Sequence, residues 1–271
     1  MTCHWIIENF VKEKSYTELA AEVQKQGFPC QLINGGFKFD DIKGYEGKCV
    51  IFNGSIELSK LVKDKLKDSC PVSYATQDNY LCSRYYPWFS EYLFNDKHCL
   101  ISLECLNRNK YFFYGIFGKE CLLFIRPDRG DKTFKAGLVD LQDFDSFYKE
   151  NSQYCNELVL ISTPKTIRGE WRFIVTKEKE IVAVSSYRYQ GQLTQIPSAP
   201  HGATDLVKKL LNVDYKPDSV FCFDIAEDSD GNFWLMELTS FSSAGLYEAN
   251  KAAIVKKVSE IAIKDWKVNN L

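Results

Sequence analysis

Two acidic residues lie inside strongly apolar segments in the last quarter of the chain. Asp224 is embedded in VFCFDIA and Glu237 in FWLMELT. An ionised carboxylate inside a core strand is costly unless a cation compensates it. A short polar turn joins the two segments, which predicts neighbouring antiparallel strands that set the carboxylates side by side. Two hard oxygen ligands in that position suit Mg²⁺, and ion pairs with arginine are the alternative interpretation.

The turn between these segments superficially resembles a calcium-binding loop. It contains Asp228, Asp230, Gly231 and Asn232. In the twelve-residue EF-hand loop the glycine comes later, and no helical pattern flanks this turn. The segment is therefore predicted to be a hairpin turn.

A cationic loop follows an apolar segment in LLFIRPDRGDKTFKAG. The predicted strand ends at Arg126, and the loop carries Arg129, Lys132 and Lys135. Lysine charges and backbone donors on such a loop can close over a phosphate group. The G-x-x-x-x-G-K-[ST] order of a Walker loop is absent, and a solvated basic turn explains this segment better when it is taken alone.

A third set of charged residues begins the segment GEWRFIVT. Strand alternation places Glu170 and Arg172 on one face, where a buried pair would orient Arg172 toward a phosphate or a carboxylate. An ordinary cross-strand ion pair is equally consistent with the segment. What favours a functional interpretation is that the cationic loop, this strand and the paired acids occur in order within one strand-rich region.

The composition describes a globular protein without a strong charge bias. Of 271 residues, 45% are hydrophobic, and 34 basic against 36 acidic residues give a formal net charge of −2. No global basic field is available to recruit nucleic acid or an anionic membrane. The apolar run near the N-terminus is too short and too acidic for a secretion signal, so we expect a cytoplasmic protein without a membrane span.

The ten cysteines contain no C-x-x-C pair, and the three histidines, His4, His98 and His201, lack ligand-like spacing. This pattern does not predict a disulfide framework, a zinc site or a redox motif. Several cysteines lie in apolar segments (KCVIF, ECLLFI and VFCFDI), where a reduced thiol behaves as a small buried hydrophobe.

The elements that must position these residues divide the chain into two parts. The opening segments CHWII, SYTELAAEVQKQG and PCQLI predict a βαβ unit, and KCVIFNGS followed by IELSKLVKDKL predicts a second strand and helix. Residues 71–107 are rich in aromatics without a period, which indicates helices and loops. Strands then dominate from about Tyr111, and the predicted strands are YFFYGIFG, ECLLFIRP, ELVLIST, EWRFIVT, EIVAVSSYRY, SVFCFDIAE and NFWLMEL. The predicted helices are VDLQDFDSFYKE, ATDLVKKLLN and residues 246–264.

Taken together, the ordered motifs resemble the ATP-grasp superfamily, and more closely its bacterial and phage clade that is named for two arginines and a lysine. The resemblance extends over nearly the whole chain. The motifs that carry it are the WII strand, the turn at 53–55, the segment with Arg126, Pro127, Asp131, Lys132 and Phe134, the triplet 170–172, SSY at 185–187, Asp224, and MELTSFSSAGLY at 236–247.

The resemblance implies an α+β protein in which two α+β subdomains grip ATP (residues 111–271), preceded by an N-terminal α/β lobe (residues 1–110). It implies ATP and Mg²⁺ as cofactors. Arg126, Lys132 and Lys135 would contact phosphates, Arg172 would face phosphate or the acceptor, and the hinge at Ile161 and Ser162 would pair with adenine through its backbone. Glu170 would also belong to the nucleotide site, with Arg172 and Lys132 as the catalytic pair. Asp224 and Glu237 would hold the metal, with Thr239 where the superfamily commonly has asparagine.

By the same resemblance, the protein is expected to be an ATP-dependent carboxylate–amine ligase that works through an acylphosphate. Its partners would be ATP and a small-molecule or peptide carboxylate and amine. A phosphotransferase acting on a small molecule, or a nucleotide-binding module without catalysis, remain open as alternatives. Neither the acceptor nor the oligomeric state follows from the sequence.

Overall fold

The N-terminal lobe consists of three strands and two helices. The computed structural model describes residues 2–9, 13–34, 38–66, 69, 78–131 and 133–269. The elements of the lobe are β1 (His4–Asn9), α1 (Lys14–Lys25), β2 (Cys30–Asn34), β3 (Val50–Asn53) and α2 (Ile56–Leu66). The strands form a parallel sheet in the order β2-β1-β3. Both predicted strand–helix units are confirmed, and Gly27 ends the first helix at φ +80°, a conformation that glycine adopts without strain.

The segment that follows is irregular and aromatic, as predicted. It contains the short helix α3 (Cys82–Tyr85) and several single 3₁₀ turns. Tyr85, Tyr86 and Phe89 are fully buried among their neighbours. Leu93 then forms a parallel bridge with Leu235, so the end of this segment lies along the edge of a sheet formed much later in the chain.

The elements of the second sheet and its helices are β4 (His98–Ser102), α4 (Leu103–Arg108), α5 (Lys110–Phe117), β5 (Leu122–Pro127), β6 (Gly137–Asp140), α6 (Phe144–Glu150) and β7 (Leu158–Ser162). The sheet is antiparallel, in the order β4-β7-β5-β6. One of its faces packs against the three helices of this region around Leu106, Leu123 and Phe144.

Three sequence-based expectations for this region were wrong. YFFYGIFG is the helix α5 and not a strand, and the strands β4 and β6 were not predicted. The aromatic residues of YFFYGIFG favour strands, but the helix buries Phe113 and Tyr114 against the sheet while leaving Tyr111 and Phe112 exposed. The sheet also begins at His98, before the boundary at residue 110 that the sequence suggested.

The elements of the third sheet and its helices are β8 (Ile167–Thr176), β9 (Ile181–Tyr189), β10 (Gln192–Leu193), α7 (His201–Leu210), β11 (Val220–Asp228), β12 (Phe233–Ser240) and α8 (Lys251–Asn269). The sheet is antiparallel, in the order β10-β9-β8-β11-β12, and it buries both of its faces. One face packs on α7 and the aromatic segment, and the other on the N-terminal lobe and α8. The predicted strands and both helices of this region are confirmed.

Two adjacent segments cross between the second and third sheets. One connects Leu93 to β4 and the other connects β7 to β8. Lys165 joins them, because its ammonium donates to the carbonyl of Phe94 and to the Asp96 carboxylate. These two segments, which we call the double crossing, join the second and third sheets. A cleft between the two sheets lies beside the double crossing.

The cysteines of the described residues are free thiols. Burial raises the pKa of Cys82 to about 11 and that of Cys222 to about 12, which makes both thiols unreactive near neutral pH. Cys121, expected in a buried strand, is instead exposed in the turn before β5 with φ +63°. No helix within the described ranges is both long and apolar enough to cross a bilayer.

Candidate active site

Three charged side chains lie in one row across the third sheet. Asp224 on β11 is directly opposite Arg172 on β8 and Glu237 on β12. Residues that face each other across antiparallel strands project from the same face. The predicted side-by-side placement of the two acids is therefore confirmed. We call Arg172, Asp224 and Glu237 together the acidic row.

Arg172 holds Asp224 through two hydrogen bonds. Its Nε donates to Oδ1 at 2.7 Å and its Nη2 to Oδ2 at 2.6 Å, while Nη1 donates to the Gly245 carbonyl at 3.2 Å. The guanidinium also lies 5.7 Å from the ring centroid of Tyr187 and 5.5 Å from that of Tyr247. Asp224 is only 1% exposed, so this forked ion pair compensates its charge inside the protein.

Glu237 has a different arginine partner, which comes from the second sheet. Arg126, at the end of β5, donates from Nη2 to Glu237 Oε1 at 3.0 Å. Arg126 is 7% exposed, and among the described residues its buried Nε has no hydrogen-bond partner. The arginine partners that the sequence left as an alternative are therefore present for both acids.

Thr239 lies beside the first acid. Its hydroxyl is 3.4 Å from Asp224 Oδ2, and its position on β12 is opposite Cys222. Glu237 and Thr239 also line a small enclosed space of about 30 Å³ together with Ser240, Ser243 and Gly130. The three residues expected to hold metal thus lie together, although a group of three or more acidic, histidine or cysteine ligands is absent from the described part of the chain.

The cleft between the second and third sheets contains a cavity of about 340 Å³. Arg126, Lys135, Glu170 and Glu237, all predicted from the sequence, line it. The register between β12 and β11 shifts between Asp224 and Ile225, which marks a bulge in β12. Because of this bulge, the consecutive residues Met236 and Glu237 both line the cavity. The remaining lining residues are Asn95, Phe124, Pro127, Arg129, Phe134 and Ala136.

The cavity has an apolar end and a charged end. Phe124 is paired with Ser162, where β7 leads into the crossing, and Asn95 accepts a hydrogen bond from the same serine at 3.1 Å. Arg126 lies two residues further along β5 and reaches Glu237. Flat apolar surface therefore lies near the crossing, and the paired charges lie at the opposite end.

The loop after β5 is held at two points. The Asp128 carboxylate accepts from the backbone N–H of Ser83 at 2.6 Å and from its hydroxyl at 2.7 Å. Asp131 pairs with Arg129 through two hydrogen bonds and with Lys60 of α2 at 3.3 Å. The first of these contacts, with Arg129, lowers the pKa of Asp131. Lys132, predicted to bind phosphate, lies outside the described residues.

The residues proposed as the hinge are the last two residues of β7, which is an inner strand of the second sheet. Ile161 is opposite Cys99 on one side and Ile125 on the other, and its side chain is fully buried. Ser162 is the last residue of β7 and is also paired on both sides. The backbone beyond β7, in residues 163–166, has left the sheet.

Glu170 lines the cavity but does not pair with Arg172. Its carboxylate accepts from the Tyr187 hydroxyl at 2.8 Å and lies 3.6 Å from Arg188, which is opposite it on β9. The ordinary cross-strand pair considered from the sequence is the one observed. Burial raises the pKa of Glu170 above its usual range.

The sequence-based search missed three groups that shape the site. Phe124 had a usable signal, because strand alternation places it on the same face as Arg126. Asn95 had none, since it lies in a polar turn without a motif. Tyr187 and Tyr247 stack at 5.0 Å beside Arg172 and were noted only as part of longer motifs.

Similar folds occur among solved structures. A D-alanine–D-alanine ligase from Bacillus anthracis, complexed with ATP, is 14% identical over 98% of this chain and 99% of that chain, with a TM-score of 0.65. D-cycloserine synthetase DcsG is 10% identical over 95% and 99%, with a TM-score of 0.62. An ATP-grasp RimK domain protein from Sphaerobacter thermophilus is 12% identical over 97% and 98%, with a TM-score of 0.56. At these identities the likeness demonstrates a shared fold.

Sequence comparison gives the family. A search of curated proteins finds no significant match. A family model of the ATP-grasp domain, described as family 2 of the R-2-K clade, matches residues 113–257, more than half of the chain. Together with the two sheets that flank the cleft, this match shows that the chain belongs to the ATP-grasp superfamily, in family 2 of that clade.

Proposed function

We propose that the protein is an ATP- and Mg²⁺-dependent ligase that joins a carboxylate to an amine. The observation that carries the proposal is the cavity of about 340 Å³, which has Phe124 at the end near the crossing and the paired charges of Arg126 and Glu237 further along β5. A nucleotide has the same polarity, with a flat base at one end and a polyanion at the other. ATP-grasp ligases with solved structures, including one complexed with ATP, have the same fold.

In this proposal the adenine lies near the double crossing. Phe124 and Met236 supply apolar contact, and the free backbone of residues 163–166 supplies hydrogen bonds next to the hinge residues Ile161 and Ser162. Asn95 borders the same end of the cavity. Glu170, at the start of β8, faces the ribose.

The triphosphate lies toward the charged end. Arg126 offers a buried Nε that has no partner among the described residues, and Lys135 lines the cavity opposite the third sheet. Lys132 is assigned to the same role by the family resemblance. These cations neutralise the charge that develops on the transferred phosphoryl group, which is the main contribution a protein makes to this reaction.

The two carboxylates of the acidic row and the neighbouring Thr239 hydroxyl fit a magnesium site by their chemistry. Mg²⁺ is usually held by one or two carboxylates together with substrate phosphates, and Glu237, Asp224 and the Thr239 hydroxyl supply hard oxygen donors beside the cavity. When bound there, the metal would supply positive charge that offsets the negative charge of the nucleotide phosphates.

The reaction then proceeds in two balanced steps. An oxygen of the substrate carboxylate attacks the γ-phosphorus, the bond to the β–γ bridging oxygen breaks, and ADP leaves. The amine nitrogen next attacks the carbonyl carbon of the acylphosphate, inorganic phosphate leaves with the electron pair of the C–O bond, and the amine loses a proton. By the family resemblance, Arg172, which is fixed beside Asp224, is assigned to orient the acceptor carboxylate or the γ-phosphate.

The test is ATP turnover with mixtures of candidate acids and amines. Both amino acids and peptides belong in the assay, because solved structures of this fold include a D-alanine–D-alanine ligase and a ligase complexed with a precursor peptide. A ligase releases ADP and phosphate only when acid and amine are both present. A stable phosphorylated product would identify a phosphotransferase instead.

Matched variants connect the activity to the site. Glu237→Gln and Asp224→Asn should each lower turnover by at least about a hundredfold, because they remove charge at the metal and phosphate end. Asp230→Asn, in the exposed hairpin turn, is the control and should retain activity. Unchanged turnover in both site variants would contradict the proposed site.

A further inference from the structure

Three buried oxygen atoms of the N-terminal lobe have no hydrogen-bond partner among the described residues. They are Asn9 Oδ1, Ser15 Oγ and Asn53 Oδ1. The exposed fractions of these three residues are 6%, 9% and 0%. Because an unpaired buried acceptor is costly, most such groups in folded proteins meet a donor from the protein, from water or from a ligand.

The three residues lie at one end of one face of the N-terminal sheet. Asn53, the last residue of β3, is opposite Ile7 of β1, and Asn9 ends β1 two residues later. Strand alternation therefore puts both asparagines on the face of Ile7. Helix α1 packs on that face through Leu19, and Ser15 lies in its first turn. The unpaired oxygens thus belong to one region at the carboxyl end of the sheet.

The orientation of the Asn53 amide is fixed by its own hydrogen bonds. Its Nδ2 donates to the carbonyl of Phe241 at 2.7 Å and to that of Ala244 at 3.2 Å. Both donors of the amide are thereby used, and the reverse orientation would set the amide oxygen against two carbonyl oxygens. Oδ1 is therefore an acceptor that only an incoming donor can satisfy.

The turn that holds Asn53 also holds the arginine of the acidic row. Ala244 accepts from Asn53, and the next residue, Gly245, accepts from Arg172 Nη1 at 3.2 Å. The Cα atoms of adjacent residues are only about 3.8 Å apart. Asn53 and Arg172 therefore contact neighbouring peptide units, which places the unpaired acceptor beside the proposed reaction centre.

An acidic residue at the same end of the sheet favours a cationic ligand. Glu8 precedes Asn9 and is 2% exposed. Within the described part of the chain, its carboxylate is paired with neutral donors only, the backbone N–H of Ser55 at 2.9 Å and the Ser55 hydroxyl at 2.5 Å. A buried carboxylate that has no basic partner attracts a cation. Negative charge beside unpaired oxygen acceptors matches a protonated amine, which carries both positive charge and several N–H donors.

We propose that Asn53, Asn9 and Ser15 bind the amino group of a primary amine substrate. This inference rests on the proposed ligase function and assigns one of its two substrates to the carboxyl end of the N-terminal sheet. Because the three oxygens are neutral, they accept hydrogen bonds from the ammonium form and also from the amine after it has lost a proton. The lone pair of the bound amine is then free to attack the acylphosphate.

Methylammonium chloride is the probe, because it carries the donor group without assuming a particular substrate. The side-chain amide signal of Asn53 is assigned by through-bond spectra of the isotope-labelled protein and followed by nuclear magnetic resonance during titration. Methylammonium should shift this signal to saturation. Tetramethylammonium has the charge but no N–H donor, and it should bind at least about tenfold more weakly.

Two results of this titration would overturn the proposal. One is an Asn53 signal that does not respond to methylammonium, which would mean that no amine reaches the acceptor. The other is an equal response to potassium chloride at the same ionic strength, which would identify a site for a metal cation instead.

Variants separate binding from structural support. Ser15→Ala removes an unpaired hydroxyl, so the free energy of unfolding should stay constant or rise while methylammonium binds about threefold to tenfold more weakly. Asn53→Leu would also break the contacts with the turn at 241–245, so Asn9→Leu is the second variant and should weaken binding similarly. Ser152→Ala is the control, because this exposed hydroxyl donates to Lys149 far along the chain. Unchanged affinity in both site variants, or an equal loss in the control, would refute the assignment.

Failure of this inference is distinguishable from failure of the proposed function. The function is tested by ATP turnover, and the inference by binding that depends on N–H donors. Turnover with acid and amine, without any response of the Asn53 signal, rejects only the amine site. A response of Asn53 without turnover in any mixture of acid and amine retains the amine site and rejects the ligase.

Discussion

At the scale of single residues, the ion pair between Arg172 and Asp224 determines the stability of the acidic row. Both side chains are more than nine-tenths buried, and the fork places two short hydrogen bonds between them. Removing two such charges from water costs free energy, and their mutual attraction offsets this cost only while both are present. The pair is therefore a condition for the fold as well as a part of the site.

Asp224→Asn should destabilise the protein by about 3 kcal/mol, because it leaves the buried charge of Arg172 without a carboxylate. The free energy of unfolding is measured by urea denaturation of the metal-free protein. Asp230→Asn, on the exposed hairpin turn, should change it by less than about 0.5 kcal/mol. A loss as small as that of the control would mean that the pair is not energetically coupled to the fold.

Glu170 should make the stability of the folded protein depend on pH. Burial raises its pKa in the folded state, so the folded protein binds this proton more tightly than the unfolded chain does. The contribution of Glu170 to stability must then fall as pH rises from the ordinary glutamate range, near about 4.3, through the raised value. Glu170→Gln removes this ionisation and keeps an acceptor for the Tyr187 hydroxyl.

The measurement is the difference in melting temperature between Glu170→Gln and the unmodified protein across that pH range. The difference should shift in favour of the variant as pH rises and then become constant. A difference that does not vary with pH would show that Glu170 has an unshifted pKa.

The residues of the acidic row differ in how far the sequence could predict them. Asp224 and Glu237 were recognisable because each breaks an apolar strand, and the hairpin turn between them implied their pairing. The Arg126 partner of Glu237 lies 111 residues earlier in the chain, so the contact depends on how two sheets are placed against each other. The family resemblance pointed to Arg126, and only the fold showed that it contacts the acid.

At the scale of elements, predictions succeeded where an apolar run or a helical period was clear. The strands β8, β9, β11 and β12 and the amphipathic helix α2 were recognised from sequence. Helix α5 was not, because Tyr111, Phe112 and Ile116 are apolar and yet exposed, which erases the helical pattern. The bulge in β12 was also unpredictable, since it depends on pairing with β11.

The loop after β5 was expected to close over a phosphate group, and the structure shows that Asp131 of this loop is tied to Lys60 of helix α2. Asp131→Asn should weaken the contacts of its carboxylate with Lys60 and Arg129 and loosen the loop. We expect the dissociation constant for ATP to rise by about threefold to tenfold, with a loss of stability below about 1 kcal/mol, since Lys60 and Arg129 are half exposed.

Calorimetric titration of ATP, together with urea denaturation, checks both parts of this expectation. Lys60→Met removes only the contact with α2 and should give a smaller effect in the same direction. The contact should persist into acid, because the lowered pKa of Asp131 keeps its charge until pH falls through that value. Unchanged ATP affinity in both variants would show that the loop needs no anchor on the N-terminal lobe.

At the scale of the whole molecule, the N-terminal lobe and the third sheet share one core. Trp5 of β1 donates to Ser259 of α8 at 3.1 Å, and α8 also packs on Ile174 of β8. One face of the second sheet has its own core, built with α4, α5 and α6, whereas Leu160 of β7 packs in the core of the third sheet. Because the first of these cores is separate, we expect one larger cooperative unit and one smaller unit that meet at the cleft.

Hydrogen exchange should reveal these two units separately. Ile254→Ala, in the middle of α8, removes a fully buried side chain and should cost about 2–5 kcal/mol. Because its core is shared, amide protection should fall together in β1, β8 and β11 and remain unchanged in β5 and β7. Leu106→Ala, equally buried in α4, is the matched change and should lower protection in the second sheet alone.

The same hydrogen-exchange measurement tests whether ATP binds in the cleft between the two units. If ATP binds there, a saturating concentration should raise protection on both sides of the cleft, since a ligand that binds only the folded state stabilises it. Loss of protection in β5 and β7 equal to that in β1 after Ile254→Ala would instead describe a single cooperative unit. In such a unit the two sheets could not open independently to admit a nucleotide.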